Sequence, residues 1–315
     1  MQKSRKQKLN ILKKIFGSCR HSHQEHLFQC PQCNHHKLKL SVNLDKNVFK
    51  CWVCDYRGKN VYRLVKKYGD FNDCREWPRD EDKVDITEFD KIILQIESEG
   101  AEPITDLPDE FEPLSTSHIE FASIQARRYL KDRGVTNDQI LKWKIGFCKS
   151  GEYEGRVVIP SFNLDGDVNY YVTRSYTGDW RKYKNSPLSK NKMIFNELFL
   201  DFSKEIIITE GVFDSIVAGD NSVPLLGSTL SEKSKLFWEI VKNDTSVYIG
   251  LDANVENKSL YIIDKLLKYD IEVYKIDTTG YDDIGSMSRR VFNKRKEEAE
   301  FMSSHKCMIK RAMML

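Results

Sequence analysis

Hydrophobic and polar positions between residues 205 and 285 alternate between two spacings. Short runs of consecutive apolar residues are typical of buried strands, whereas apolar residues three or four positions apart are typical of helices. The predicted strands contain the runs EIIIT, SVPLLG, SVYIGLD and IEVYKID. The helices between them contain VFDSIVAG, SEKSKLFWEIVKN and KSLYIIDKLLKYD. This β-α-β-α order predicts an α/β layer built on a largely parallel sheet.

The upstream part of the chain has a different pattern, which predicts a mixed α+β region. SIQARRYLKDRG and TNDQILKWKIG have helical spacing, and GRVVIPSFNLDGDVNYYVTRSY contains two strands joined by a turn at Asp165-Gly166. Near the N-terminus, LNILKKIF is amphipathic and NVYRLVKKYG predicts a short helix that ends at Gly69. Prolines and acidic residues mark a linker, although DKIILQIESEG within it has the spacing of a helix.

These changes of pattern divide the chain into five parts, which we predict to be separate regions. The C-terminal tail is compatible with a contact to a binding partner and equally with a surface helix. The parts are a basic lead and cysteine-containing domain at 1–70, an acidic linker at 71–115, a basic α+β subdomain at 116–204, an α/β subdomain at 205–290 and a basic tail at 291–315.

Length and composition are ordinary for a soluble protein. The 315 residues allow two or three domains, and 40% of them are hydrophobic. No apolar run approaches the ~20 residues that a membrane span needs. The basic N-terminus lacks the apolar segment of a secretory signal, so we expect no export. In the reducing cytoplasm that this predicts, paired cysteines are more often metal ligands than disulfides.

The net charge of +3 conceals a strong segregation of charge along the chain. Residues 1–79 hold 18 Lys and Arg against 6 Asp and Glu, whereas residues 80–112 hold 13 acidic residues against 2 Lys. A concentrated basic module favours a polyanionic partner such as nucleic acid, because binding releases counterions. The alternative is an ordinary solvated charged surface.

Two Cys-x-x-Cys pairs, Cys30 with Cys33 and Cys51 with Cys54, are separated by seventeen residues. Each pair bends two thiolates toward one ion, and this spacing is typical of a Cys₄ zinc ribbon. Nearby histidines at 26, 35 and 36 are close enough to replace a ligand, which leaves the exact set open. Lys39 and Trp52 are candidate nucleic-acid contacts, since cations bind phosphates and aromatic rings stack on unpaired bases. The alternative is that the aromatic rings only cover a small core.

Acidic residues follow three of the predicted parallel strands. Glu210 follows EIIIT, Asp252 follows SVYIGL with Asn254 two residues later, and Asp282 and Asp283 come after the last strand. The carboxyl ends of parallel strands meet at one edge of a sheet, so we expect these side chains to converge. Clustered carboxylates need cations, and Mg²⁺ prefers such ligands. Each residue taken alone is equally compatible with a helix cap or a turn.

Several segments resemble a known enzyme family. IIITEGVFDSIVAG followed by YIGLDAN resembles the TOPRIM domain that primases, topoisomerases and some nucleases share. ARRYLKDRGVTNDQILKWKIGF, GRVVIPSFNLDGDVNYYVTRS and WRKYKNSPLSKNKMIFN resemble the basic half of the RNA polymerase domain of bacterial and phage DNA primases. KYKNSP is the most specific of these pieces. With the predicted zinc ribbon, the resemblance covers residues from about 26 to 290.

The resemblance implies roles for individual residues. Glu210 matches the TOPRIM glutamate, Asp252 the first acid of the DxD motif and Asp283 the later metal-site aspartate. The second DxD acid is Asn254 here, which removes one negative charge while keeping a carbonyl ligand. Asp282 replaces a residue that is commonly Lys, so either neighbouring Asp is a candidate ligand. The positions implied to contact template and nucleotide are Arg156, Arg174, Lys182, Asn185 and Lys192.

The activity implied by the resemblance is that of a DNA primase, which makes short RNA primers on single-stranded DNA from ribonucleoside triphosphates. It implies one structural Zn²⁺, catalytic Mg²⁺ or Mn²⁺, and a replicative helicase as partner. The compact length and the lack of a bacterial-type helicase-interaction domain favour a phage-encoded member in the host cytoplasm. Two alternatives stay open: a TOPRIM nuclease that uses the same acids, and a single-stranded DNA-binding zinc protein in which Asn254 marks a reduced catalytic site.

Overall fold

The computed structural model describes residues 2–22, 24–54, 56–58, 60–78, 102–115, 120–227, 229–252 and 255–313. The chain divides into two units, Met1–Asp90 and Lys91–Leu315. The helix predicted from DKIILQIESEG lies outside the described residues. None of the helices in the described part of the chain is long and apolar enough to cross a membrane.

The first unit combines an antiparallel five-stranded sheet with helices at both ends of the segment. The leucines at 12, 40 and 64 and Phe28 are fully buried in one cluster, which joins the helices to the sheet. The helices are α1 (Gln2–Phe16), α2 (Tyr62–Tyr68) and α3 (Phe71–Glu76). The strands, in their order across the sheet, are β1 (Arg20–Ser22), β2 (Glu25–Phe28), β3 (Leu40–Asn43), β4 (Val48–Cys51) and β5 (Arg57–Gly58).

Local signals account for where the helices of the first unit end and begin. Helix α2 ends at Gly69 as predicted, where a Cβ atom would lie only 2.7 Å from the Val65 carbonyl oxygen. Helix α3 begins with a reciprocal capping box between Asp70 and Asp73. Lys14 of α1 pairs with both of these carboxylates, at 2.9 and 2.7 Å. The first residues of the predicted linker 71–115 therefore belong to this unit.

The upstream part of the second unit is an antiparallel sheet with two short helices, as the sequence predicts. The predicted turn at Asp165-Gly166 is present, and Gly166 has a φ of 88°, which a glycine adopts without strain. The strands are β6 (Phe111–Pro113), β7 (Gly146–Cys148), β8 (Arg156–Phe162) and β9 (Val168–Ser175), and the helices are α4 (Phe121–Asp132) and α5 (Asn137–Lys142).

The downstream part of the second unit contains the predicted α/β layer. Its sheet has the order β11-β10-β12-β13-β14, and the first four strands are parallel. Strand β10 has β11 on one side and β12 on the other, so the direction of winding reverses between β10 and β12. The strands are β10 (Ile206–Thr209), β11 (Ser222–Pro224), β12 (Val247–Gly250) and β13 (Val273–Lys275). Helices α6 (Val212–Ala218), α7 (Lys235–Lys242) and α8 (Glu256–Lys268) connect them.

The segment predicted to be a basic tail, 291–315, is folded into this layer over its described residues. It continues α9 (Arg289–Glu297) into β14 (Glu300–Met302) and α10 (Ser304–Ala312). Strand β14 pairs antiparallel with β13, and Phe292, Met302 and Cys307 are buried. The separation of this segment from 205–290 is therefore corrected. Its few apolar side chains gave a weak pattern, but they are sufficient to close the edge of the sheet.

Candidate metal centre and active site

The four cysteines predicted to bind zinc converge at one edge of the first unit's sheet. Strands β2 and β4 both run antiparallel to β3, so their carboxyl ends lie at the same edge. Cys30 and Cys33 follow β2, whereas Cys51 ends β4 and Cys54 lies in the turn after it. The four Sγ atoms all lie within 4.8 Å of one another.

The spacing of these sulfur atoms fits a zinc ion. The Sγ atoms of Cys30 and Cys54 are 3.8 Å apart, and those of Cys33 and Cys51 are 3.9 Å apart. Four sulfurs held tetrahedrally at about 2.3 Å from zinc would be roughly 3.8 Å from one another. Burial raises the pKa of the Cys51 thiol, but the backbone N–H groups of Cys54 and Val53 outweigh it and hold this pKa at about 7. Burial raises the pKa of the Cys30 thiol to about 12, so zinc binding to the quartet would release protons.

The neighbouring histidines have other contacts. His26 is buried, and its Nδ1 lies 3.9 Å from the Sγ atom of Cys19. His35 and His36 stack on each other with ring centroids 4.3 Å apart. Among the described residues, the cysteine quartet is the group of potential ligands whose atoms lie close enough together to bind one metal ion.

Trp52 and Lys39, the predicted nucleic-acid contacts of this unit, lie beside each other on the backbone. The Trp52 N–H donates to the Lys39 carbonyl oxygen at 3.0 Å. The Trp52 side chain is 66% exposed, and the Lys50 ammonium lies 5.0 Å from its ring centroid. The ring is therefore available to stack on a ligand beside a positive charge.

In the second unit, the topology brings the first two predicted acids together. Glu210 follows β10 and Asp252 follows β12, and these adjacent parallel strands end in register at Thr209 and Gly250. Their carboxyl ends border the point where the winding direction of the sheet reverses, which is where α/β proteins open a crevice. Asp283 begins a short 3₁₀ turn after β13. We call Glu210, Asp252 and Asp283 the acidic rim.

Asp214 connects the turns that carry two residues of the acidic rim. Its Oδ2 accepts a hydrogen bond from the Gly211 N–H at 2.7 Å, and its Oδ1 accepts one from the Gly285 N–H at 2.8 Å. The first bond fixes the turn that carries Glu210, and the second fixes the turn that carries Asp283. A Cβ atom at either glycine would lie 3.0 Å from this carboxylate, so both positions require close approach. Burial, together with the charges of Asp283 and Asp252, raises the pKa of Asp214 to about 7 despite these bonds.

The two carboxylate oxygens of Glu210 differ in their hydrogen-bond partners. Its Oε1 lies 3.1 Å from the Lys258 ammonium in a largely buried ion pair. Its Oε2 is buried without a hydrogen-bond partner among the residues that the structure describes. Burial, and then the charges of Glu210 and Asp283, raise the pKa of Asp252 to about 6, against the opposing effect of Lys258. The rim thus contains carboxyl groups whose charges repel one another and a Glu210 oxygen without a hydrogen-bond partner among the described residues, both of which suit a divalent cation.

The structure distinguishes the two neighbouring aspartates. Asp283 is a charge neighbour of both Asp214 and Asp252, and its Oδ1 accepts a hydrogen bond from the Ser286 N–H at 2.7 Å. Asp282 is exposed. Asn254 lies outside the described residues. The described rim acids do not approach one another as closely as the four cysteines do.

A pair of arginines lies beside the acidic rim, and only one of them was predicted. The Arg174 Nε donates to the Tyr129 hydroxyl at 3.1 Å, and its guanidinium lies 4.6 Å from the Tyr183 ring centroid. Arg133 donates to the same hydroxyl at 2.7 Å and covers the ring of Phe213, which begins α6 next to Asp214. Charges of both arginines and of Asp214 act on Tyr183. Arg133 stands in the segment YLKDRG, whose helical pattern gave no sign of a site.

The other predicted basic and polar residues have varied surroundings. Arg156 is buried, and its guanidinium donates to the Asp179 carboxylate and to two backbone carbonyls. The prediction that it contacts nucleic acid is therefore corrected, because the side chain is almost completely buried and bonded inside the fold. Asn185 is half-buried and accepts from the Thr173 N–H at 3.3 Å. Lys182 and Lys192 are exposed.

Lys190, which the sequence did not indicate, lies near Glu210. Its ammonium donates to the Leu226 carbonyl oxygen at 2.6 Å, and the Leu226 N–H donates to the Glu210 carbonyl oxygen at 2.9 Å. Burial, and then the charge of Lys258, lower the pKa of Lys190. Two lysines therefore flank Glu210, a feature that no sequence spacing indicated.

Comparisons with known proteins agree with the predicted resemblance. No protein-family model matches the chain. The DNA primase of Staphylococcus aureus strain MSSA476 is 26% identical over 287 residues, which cover 72% of this chain and 46% of that protein. The DNA primase of Thermotoga maritima is 24% identical over 209 residues, which cover 51% of this chain and 36% of that protein. The chain thus spans about half the length, or less, of these relatives.

Solved primase structures are similar in fold. The E. coli primase catalytic core matches with a TM-score of 0.51 at 17% identity, over 62% of this chain and 78% of that one. The DnaG primase catalytic domain bound to ssDNA matches with a TM-score of 0.51 at 17% identity, over 58% of this chain and 74% of that one. In sequence and in fold, the chain resembles bacterial-type DNA primases.

Replacing one zinc ligand should remove the metal and unfold the first unit, because structural zinc supplies much of the folding free energy of small domains. We expect Cys51→Ser to lower bound zinc from one ion per chain to almost none, as measured by atomic emission, and to abolish the first unit's transition in thermal circular dichroism. Cys74→Ser, in the same unit but outside the quartet, is the matched control. Zinc retained in Cys51→Ser, or equal loss in the control, would contradict the assignment.

Proposed function

We propose that this protein is a DNA primase, a nucleotidyltransferase that makes short RNA primers on single-stranded DNA from ribonucleoside triphosphates. The observation that carries the proposal is the pairing of Glu210 and Asp252 at the reversal point of the sheet, with one buried Glu210 oxygen left without a partner. The similarity to primases supports the same activity. One similar structure is named as bound to ssDNA, which supports a single-stranded template.

The residues of the acidic rim suit the catalytic Mg²⁺ or Mn²⁺ of this reaction. Glu210, Asp252 and Asp283 would hold the cation, with the carbonyl oxygen of Asn254 as a further ligand. When bound, such an ion neutralises charge on the reacting phosphates and lowers the pKa of an attacking hydroxyl. Asp214 keeps the rim in place through its bonds to Gly211 and Gly285.

The chain's own cations orient the reacting groups. The primer 3′-hydroxyl attacks the α-phosphorus of the incoming triphosphate and loses its proton to water. The new P–O bond forms, the bond from the α-phosphorus to the oxygen that bridges to the β-phosphate breaks, and pyrophosphate leaves with that oxygen negatively charged. Arg133 and Arg174, fixed by the Tyr129 hydroxyl, offer planar donors for phosphate oxygens at the side of the rim. Lys258 and Lys190 supply further positive charge near Glu210, toward which a triphosphate would be drawn.

The first unit would hold the template or the growing primer. Trp52 and Lys39 provide an exposed ring and a nearby cation on a scaffold fixed by zinc. A replicative helicase is the partner expected of such an enzyme, and the host cytoplasm is its expected compartment if the chain is phage-encoded. The relatives and structures reported above are all named primases, which gives no support to the nuclease alternative.

Amide substitutions at the rim should abolish RNA synthesis while preserving side-chain volume. We expect Glu210→Gln and Asp283→Asn to lower incorporation of radiolabelled ribonucleotides on single-stranded DNA by about 100-fold or more, because each removes a charge that the cation requires. The matched control is Asp282→Asn, which alters the exposed neighbour and should stay within about threefold of wild type.

Other outcomes of this assay separate the alternatives. Degradation of the template would identify a nuclease, and tight binding without product in Mg²⁺ or Mn²⁺ would identify a binding protein. An Asp282→Asn defect as large as that of Asp283→Asn would show that the rim is assigned to the wrong aspartate.

Removing the lysine that pairs with Glu210 should strengthen cation binding. We expect Lys258→Met to bind Mn²⁺ roughly tenfold more tightly, as measured by electron paramagnetic resonance without nucleic acid, because the ammonium and the metal compete for one carboxylate. Lys268→Met, on the same helix but exposed, is the control. Binding should also strengthen as the pH rises through 6, since Asp252 must lose its proton first. Unchanged affinity in Lys258→Met would mean that the cation does not use Glu210.

A further inference from the structure

The loop that follows β9 presents one large aromatic side chain to solvent. Trp180 is 84% exposed, more than any other large hydrophobic residue of the described chain. The Arg181 guanidinium lies 5.0 Å from its ring centroid. Thr177, Gly178 and Asp179, which precede it, are exposed and polar or small. The indole therefore stands among polar and charged groups and not in an apolar patch.

Interactions inside the fold fix the shape of this loop. The buried Arg156 donates to the Asp179 Oδ2 at 2.5 Å and to the Arg181 carbonyl oxygen at 2.7 Å. The other Asp179 oxygen accepts from the Arg181 N–H at 2.9 Å, and the Asp179 N–H donates to the Ser175 hydroxyl at 3.1 Å. The loop thus places a residue on each side of Trp180 in a defined position. The Arg156 side chain is only 3% exposed, and its hydrogen bonds fix the residues on both sides of the exposed Trp180.

The loop leads directly to the arginine pair beside the acidic rim. Lys182 pairs on the backbone with Ser175, and Tyr183 forms a bridge with Arg174. Tyr183 is three positions after Trp180, so their Cα atoms are at most about 10 Å apart. Arg174 covers the Tyr183 ring, and the charge of Asp214, which fixes the turns of the rim, acts on Tyr183. The loop is therefore connected through Tyr183 to the side chains beside the rim.

We propose that Trp180 stacks on an unpaired base of single-stranded DNA, while Arg181 and Lys182 contact the phosphates on either side of that base. An exposed aromatic ring flanked by cations suits single-stranded nucleic acid, because each base offers a flat face for stacking and each linkage a negatively charged phosphate. A protein partner would instead be expected to need apolar neighbours around the indole, which the loop lacks. The proposal rests on the proposed function for the identity of the strand as template.

The test is binding of the full chain to a fluorescently labelled oligothymidylate, followed by anisotropy at several salt concentrations. We expect Trp180→Ala to weaken binding roughly tenfold, within the range of one stacked base, and Trp180→Phe to recover most of it. The salt dependence should stay unchanged because no cation is lost. An oligonucleotide with abasic sites should bind wild type and Trp180→Ala equally. The control is Leu164→Ala, at the β8–β9 turn, where the side chain is 66% exposed.

Each result decides the proposal. Equal affinity of wild type and Trp180→Ala for oligothymidylate, an equal loss on the abasic strand, or wild type that fails to bind would overturn it. A change in sedimentation without a change in DNA affinity would also overturn it and would identify a second copy of the chain as the occupant. Measured separately, RNA synthesis distinguishes the two claims. Wild type that binds through Trp180 yet makes no RNA would refute the proposed function alone, and RNA synthesis with no role of Trp180 in binding would refute this inference alone.

Discussion

Acidic side chains that lie close together and are partly buried repel one another. The downstream part of the second unit is organised around this constraint. Glu210 and Asp252 are brought together because β10 and β12 are adjacent, parallel and in register. The fold offsets part of the repulsion with Lys258 and with the two N–H donors on Asp214. One Glu210 oxygen is still left without a partner in the described chain, and a divalent cation is the group that would complete it.

The candidate metal sites of the two units differ in how completely the protein ligands would surround the ion. Soft thiolates enclose a zinc ion completely, and the cysteine quartet is correspondingly tight, with sulfur pairs at 3.8 and 3.9 Å. Hard carboxylates share a magnesium ion with water and substrate, and the acidic rim is correspondingly open. A closed site suits a structural role, whereas an open one suits exchange of nucleotide and pyrophosphate.

Much of this arrangement is predictable from the sequence, because it depends on local periodicity and on topology. Apolar runs identified β10 and β12, and the rule that parallel strands end at one edge brought Glu210 and Asp252 together. Lys258 and Arg133 could not be found this way, since each lies on a helix whose pattern is that of an ordinary amphipathic surface. Their roles depend on which helix faces the rim, and that is a tertiary property. The resemblance placed Arg156 among the template and nucleotide contacts, but a match of sequence motifs does not reveal that its guanidinium is bonded to Asp179 inside the fold.

The central claim is that Glu210 and Asp252 share a divalent cation at the reversal point of the sheet. The most direct measurement is anomalous diffraction from crystals of the full chain soaked in Mn²⁺, which locates the ion without any assay of activity. We expect an anomalous peak at bonding distance from the Glu210 Oε2 and an Asp252 oxygen, with the Lys258 ammonium displaced or turned aside. A peak elsewhere, or a Glu210 carboxylate that remains paired with Lys258 at saturating Mn²⁺, would contradict it.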